Sequence, residues 1–208
     1  MINYYIGLDP SLAAFGIAII NIKDKKIILD QMRSGDHHDF MMMCWSIDNL
    51  WQEFYGKYQY YLVSEDSFVA QEAPIASGIN SGKLNALGMR FYLGCGFESS
   101  YERIRTYQPI KLKQFHTKRG IKKYNKKDTI EVVENILKYL QDNGYSLDIR
   151  VSRTKKSQSI TDGEADAFMY AIKTVIDKNC QNKIVCDIMG MYPTFEVIKS
   201  LEELKYSK

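Results

Sequence analysis

The sequence predicts an α/β protein: a mixed sheet that opens with an antiparallel three-strand meander and is flanked by helices. Three observations carry the prediction. Tyr4-Tyr5-Ile6-Gly7-Leu8 is an apolar run too short and too β-prone for a helix, so it reads as a buried strand that ends at Asp9 and is stopped by Pro10. Gly16-Ile17-Ala18-Ile19-Ile20 then returns as its hairpin partner, Lys23 to Lys25 turns the chain, and Lys26-Ile27-Ile28-Leu29 begins a third strand. Further on, stretches of helical period alternate with short apolar runs, the pattern of a sheet covered by helices.

The elements follow in order. Gly35-Asp36-His37-His38-Asp39 places two His between acids, but sequence neighbours point apart, so the stretch reads as a polar loop with Asp39 as a helix N-cap. Phe40, Met43, Cys44, Ile47, Leu50, Trp51 and Phe54 fall at helical spacing and predict a helix over 40–55. Tyr60-Tyr61-Leu62-Val63-Ser64 predicts a short buried strand ending in Glu65-Asp66, and Gln71 to Asn80 a loop. Lys83 to Gly94 predicts a helix, Tyr101 to Thr106 a strand, and Pro109 the opening of a short helix. Asn125 or Asp128 caps a helix whose face is Ile130, Val133, Ile136, Leu137 and Leu140, and which Asp142-Asn143-Gly144 ends. After a polar, basic loop from Arg150 to Ser159, a last helix runs from Asp162 to Ile176. Residues 182–208 fit one strand and a short helix and show no chemistry.

Length and composition bound the function. A chain of 208 residues fits one domain and can bury a real core. The longest apolar stretch, Leu12 to Ile20, falls well short of the roughly 20 residues of a membrane span. Cys44, Cys95, Cys180 and Cys186 lack CxxC spacing and read as reduced thiols, so a cytoplasmic protein without structural zinc is expected. The net charge of +3 conceals an asymmetry. Ten of the 28 basic residues lie between Arg103 and Lys127 with no acid among them, which leaves 18 basic against 25 acidic residues elsewhere. A basic band on an acidic body points to a polyanionic partner.

Four carboxylates stand out. Asp9 and Glu65 end predicted strands, while Asp162 and Asp166 are four apart and share one helix face. Asp9 admits two readings, a turn cap with Pro10-Ser11 or a metal ligand, and the Asp162–Asp166 pair would repel without a counter-ion. Together with the basic band, this is the set needed to hold two Mg²⁺ against a phosphodiester.

At these residues the sequence resembles the RuvC family of Holliday-junction resolvases, within the RNase H-like superfamily. IGLDPSLAAFGIAI is similar to the family's first motif and VSEDSF to its second, with Phe68 where the bacterial resolvases carry an aromatic that meets junction bases. Pro109 to Gln114 resembles the stretch before the family's basic loop, and Lys126 or Lys127 its helix-opening lysine. TDGEADAFMYAI is similar to the last motif, except that position 163, three before Asp166, is Gly where the family has an acid or His. Asp162 would then serve from one residue further back.

The resemblance implies an RNase H-like domain over 1–178 with an extension over 179–208. It implies a structure-selective endonuclease that resolves four-way DNA junctions by paired nicks, leaving 5′-phosphate and 3′-hydroxyl ends. Asp9, Glu65, Asp162 and Asp166 would hold two Mg²⁺ or Mn²⁺ ions, and Phe68, Lys113, Lys126 and Lys127 would contact DNA. A homodimer built on the helix from Lys83 to Gly94 would supply the two sites. Three rival readings fit the same residues: a broader flap, fork or RNA–DNA hybrid nuclease, a junction-binding protein that has lost catalysis, and an actin-like ATPase. The last lacks its Gly-rich phosphate turn, because Pro10-Ser11-Leu12-Ala13 occupies that place.

Overall fold

The computed structural model describes residues 3–11, 14–33, 39–73, 81–107, 126–150 and 160–179. The predicted meander is present as β1 (Tyr4–Asp9), β2 (Phe15–Asn21) and β3 (Lys26–Met32), turned at Lys25, the one described non-glycine residue in the left-handed region, at φ 49°. Helix α1 (Phe40–Leu62) follows, with the Asp39 carboxylate accepting the Met42 N–H at 3.0 Å as its N-cap. Next come β4 (Ser67–Glu72), α2 (Ser81–Glu98), a 3₁₀ turn (Tyr101–Arg103), β5 (Ile104–Tyr107), α3 (Lys126–Asp142), β6 (Ser146–Ile149) and α4 (Asp162–Asn179).

The six strands lie in the order β5-β4-β1-β2-β3-β6. The meander is antiparallel, whereas β4 on β1, β5 on β4 and β6 on β3 are parallel. Every strand except β2 therefore ends at the same edge of the sheet. Side chains alternate between its faces. Tyr5, Ala18, Leu29, Phe68 and Ala70 face α3 and α4, and Ile6, Leu8, Ile17, Ile28 and Val69 face α1 and α2. The result is a mixed α/β sheet between two helical layers.

Two expectations change here. Tyr60 to Leu62 form the last turn of α1, because Leu50, Trp51, Phe54, Tyr58 and Leu62 keep one buried face on the helix well past residue 55. Packing along that face overrides the strand preference of the tyrosines. The strand begins instead at Ser67 and takes in Gln71 and Glu72, which the sequence assigned to a loop. β6 was not anticipated; its four residues pair with Lys26 to Leu29 after Gly144, at φ +87°, has ended α3. Of the cysteines, Cys95 is buried and Cys44 is exposed. The short helix at Pro109, Cys180, Cys186 and the 182–208 tail lie outside the described residues. No described helix is long and apolar enough to cross a membrane.

α4 lies against β1 and β2 at backbone distance. A Cβ on Gly7 would stand 1.9 Å from the Ala167 carbonyl oxygen, and one on Gly16 would stand 2.0 Å from that of Gly163. Both obstacles are main chain and cannot swing aside. Gly7→Ala or Gly16→Ala is expected to lower stability by about 3 kcal/mol, the upper range for overpacking, measured by urea unfolding; Gly56→Ala, exposed within α1 with nothing within 4 Å, is the contrasting control and should instead gain about 0.5–1 kcal/mol from helix propensity.

Candidate active site

Asp9 is the last residue of β1 and lies on the α4 face, in step with Tyr5 and Gly7. The parallel register pairs Leu8 with Gln71, so the next residue of β4, Glu72, comes beside Asp9. Glu72 alternates with Phe68 and Ala70 and shares their face. The two carboxyls are within hydrogen-bonding reach. Antiparallel pairing on the other side puts Gly16 opposite Asp9 and Gln31 opposite Gly16.

Helix α4 brings the remaining acids. Thr161 caps it: its Oγ1 accepts the Glu164 N–H at 3.2 Å, while Glu164 Oε2 accepts the Thr161 N–H at 2.7 Å. This reciprocal capping box turns Glu164 inward, fully buried, and leaves Asp162 and Asp166 partly exposed. Burial, then the charges of Asp166 and Glu72, a hydrogen bond with Glu72, and last the charge of Asp162 push the Asp9 carboxyl well above the ordinary carboxylate range. Asp9 is thus surrounded by acids from two other elements.

Asp30 supplies a contrast. It is buried where Asp9 is only partly so, and it accepts the Tyr58 hydroxyl at 2.5 Å and the Gln31 N–H at 2.8 Å, with Lys57 at 3.9 Å. Its charge is met by donors. The charge of Asp9 is met by more carboxylates, an arrangement that favours a bound cation.

Of the residues singled out from sequence, Asp9, Asp162 and Asp166 come together and Glu65 does not. Glu65 is exposed in the turn before β4, and its neighbour Asp66 accepts backbone hydrogen bonds from Asn3 and Tyr4 at the start of β1. It lies at the far end of the strand, roughly 20 Å from the Asp9 edge for a six-residue strand. Glu72 occupies the place expected of it. The signal was legible: Glu72-Ala73-Pro74 ends an apolar run much as Asp9-Pro10 does.

Phe68 is likewise corrected. It is only 2% exposed, packed with Tyr5 and Ala70 beneath α4, with Arg105 and Lys178 over its ring, so it cannot meet a base. Lys113 lies outside the described residues, and Lys126 and Lys127 open α3. That helix ends where β6 begins, at the opposite edge, so its 17 residues bring its start to the Asp9 side. Gly163 also finds its reason: a Cβ there would stand 2.9 Å from the Ala14 carbonyl oxygen.

The donors fit a hard divalent ion such as Mg²⁺ or Mn²⁺, since Asp9, Glu72, Asp162 and Asp166 offer carboxylate oxygen alone. Among the described residues no three acids already stand as a finished ligand set.

No family model and no curated protein matches the sequence. Among solved structures, T. thermophilus RuvC in complex with a Holliday junction substrate aligns with a TM-score of 0.52 at 14% identity, over 84% of this chain and 94% of that one. That likeness shows a shared fold, an RNase H-like mixed sheet. The large terminase nuclease of the thermophilic phage G20c aligns at a TM-score of 0.36 and 11% identity, over 82% and 81% of the two chains. The nuclease domain of the bacteriophage SPP1 large terminase, solved with bound Mn, aligns at 0.33 and 15%, over 83% and 86%.

A carboxyl raised in the folded state binds its proton more tightly there than when unfolded. Stability therefore falls as pH rises above the ordinary carboxylate range, until Asp9 ionises in the folded protein. In EDTA at pH 7, Asp9→Asn is expected to raise the unfolding midpoint by roughly 3 °C, equivalent to about 1 kcal/mol. The gain should vanish near pH 4, as followed by circular dichroism.

Proposed function

We propose that this chain is a divalent-metal-dependent endonuclease that cuts branched DNA and resolves four-way junctions by paired nicks. The observation that carries the proposal is the convergence of Asp9, Glu72, Asp162 and Asp166, from β1, β4 and α4, on one edge of an RNase H-like sheet. Clustered acids disfavour one another's charge and repel a phosphodiester, and divalent cations held between them would relieve both effects. Asp9 and Glu72, with Asp162 and Asp166 across from them, would hold two Mg²⁺ or Mn²⁺ ions. When bound, such ions lower the pKa of water and stabilise charge on the leaving oxygen.

The chain's own residues prepare the rest. The capping box fixes the first turn of α4, so that its two acids keep their aim at Asp9. Lys113, Lys126 and Lys127 belong to the acid-free basic band and would neutralise phosphates leading into the site. Such contacts give affinity without sequence choice, and binding should weaken steeply with salt.

Two symmetric cuts need two sites, hence a C2 homodimer. Helix α2 supports this with an exposed apolar stripe: Met89, Leu93 and Phe97, at 48%, 40% and 79% exposure, recur at one helical turn. Such a stripe would offer an apolar surface for a second copy of the chain. The burial of Phe68 favours a second reading, a nuclease less selective among branches. With Glu72 as the second acid, the position three residues on is Ile75, which has no ring to stack on an unpaired base.

Cleavage of a synthetic four-way junction, matched flap and fork substrates and linear duplex, in Mg²⁺ or EDTA, tests both readings. Paired nicks confined to the junction support resolution, comparable cutting of flaps and forks supports the second reading, and no cutting of any substrate in Mg²⁺ or Mn²⁺ rejects both. Asp9→Asn and Glu72→Gln should each reduce the rate by about 100-fold or more, given that even residues supporting a metal ligand cost about 10- to 100-fold. Glu65→Gln should cut as the wild type does. In sedimentation, Leu93→Glu should convert a dimer to monomers; a wild-type monomer at micromolar concentration would remove the paired-nick mechanism.

A further inference from the structure

A row of side chains crosses the sheet at its site edge. β-Register aligns Tyr107, Glu72, Asp9, Gly16 and Gln31 on the face that carries α4. Gly16 leaves the fourth place empty, and the backbone of Gly163 settles into it. The consequence is a shared boundary. The point where a Gly163 Cβ would stand lies 3.6 Å from Asp9 Oδ2 and 3.7 Å from Gln31 Nε2, so the carboxylate and the amide flank it from opposite strands.

We propose that Gln31 is a substrate-contacting residue of this site, its side-chain Nε2–H donating a hydrogen bond to a non-bridging oxygen of the DNA phosphate held beside Asp9. The inference rests on the nuclease reading and deepens it. The separation between Asp9 Oδ2 and Gln31 Nε2 cannot exceed the sum of those two short distances, a span that one phosphate group and its ions can bridge. Gln31 is partly exposed at the end of β3, so an incoming strand can reach it.

Chemistry selects the amide. A site with four acids gains nothing from a fifth, which would repel the phosphate, and a lysine there would instead pair with Asp9 and compete with the cation. A neutral donor holds a phosphate oxygen without doing either. It also supplies a polar group where no side chain fits, next to position 163.

The test separates phosphate contact from metal ligation and from folding. Fluorescence anisotropy would measure binding of a labelled four-way junction in Ca²⁺ to the full-length wild type, Gln31→Met, which keeps the length but removes the donor, and Gln31→Glu, which keeps the shape but adds charge. A lost hydrogen bond to a charged group predicts binding weakened by about tenfold in Gln31→Met and by more in Gln31→Glu. The rise in unfolding midpoint with Mn²⁺ should persist in Gln31→Met. Wild-type affinity in both variants would overturn the contact and leave the nuclease reading standing. Loss of the Mn²⁺ effect in Gln31→Met would make the residue a metal ligand and overturn the proposal in that form. A wild type that binds no branched DNA would overturn this inference together with the reading beneath it.

Discussion

The approach of α4 to the β1–β2 hairpin is the constraint on which the site depends. Three glycines permit it: Gly7 under Ala167, Gly16 under Gly163, and Gly163 beside the Ala14 carbonyl. With any side chain at these places the helix would stand off the sheet by the width of a methyl group or more. Asp162 and Asp166 would move away with it. The close approach also crowds the partly buried Asp9, and desolvation is the largest influence raising its carboxyl. The same contact therefore assembles the acids and makes their assembly costly. Such local cost at a site, offset by packing elsewhere, is the usual sign that the arrangement serves something other than stability.

Parallel pairing supplies the second half of the arrangement. Because β4 runs alongside β1, both strands end at one edge, and alternation sends Asp9 and Glu72 to one face. An antiparallel β4 would have placed its terminal acid at the other end of the sheet. Asp30 shows that a buried acid alone means little here, since Tyr58, Lys57 and a backbone N–H satisfy it. What distinguishes Asp9 is the kind of neighbour it has.

Much of this could be read from the chain, and the failures share one cause. The hairpin, the capping residue Asp39, the amphipathic helices and the Asp162–Asp166 spacing are local patterns, and local physics decides them. Glu65 and Phe68 lie away from the Asp9 edge because the strand begins later than its composition suggests. Tyr60 to Ser64 has strand composition, yet Tyr58 and Leu62 continue the buried face of α1, and only the packed sheet beneath the helix reveals which preference wins. The acid that comes beside Asp9 therefore stands seven residues beyond Glu65, at Glu72. β6 was missed for a related reason: Ser146 to Ile149 is too short to signal itself and is held by its pairing with β3. The role of Gly163 was illegible because it lies in a contact across the fold, with Ala14 and Gly16.

The sheet also divides two kinds of surface. Its α4 face carries Asp9, Glu72 and Gln31, and the basic band rejoins the described chain at the start of α3 on that side. Its other face is covered by α1 and α2, which run parallel: Asp48 meets Arg90, and Tyr55 meets Glu98. Trp51 fills the space opposite Gly94, meets Phe91 edge-to-face and packs at a tilt against Phe54 in the core. With its inner face so occupied, α2 still presents Met89, Leu93 and Phe97 outward. A body docked there would rest on a rigid aromatic layer with the whole sheet between it and the acids. Association on that side would leave the edge of Asp9 open. Separating the charged from the apolar surface in this way lets each be built without compromising the other.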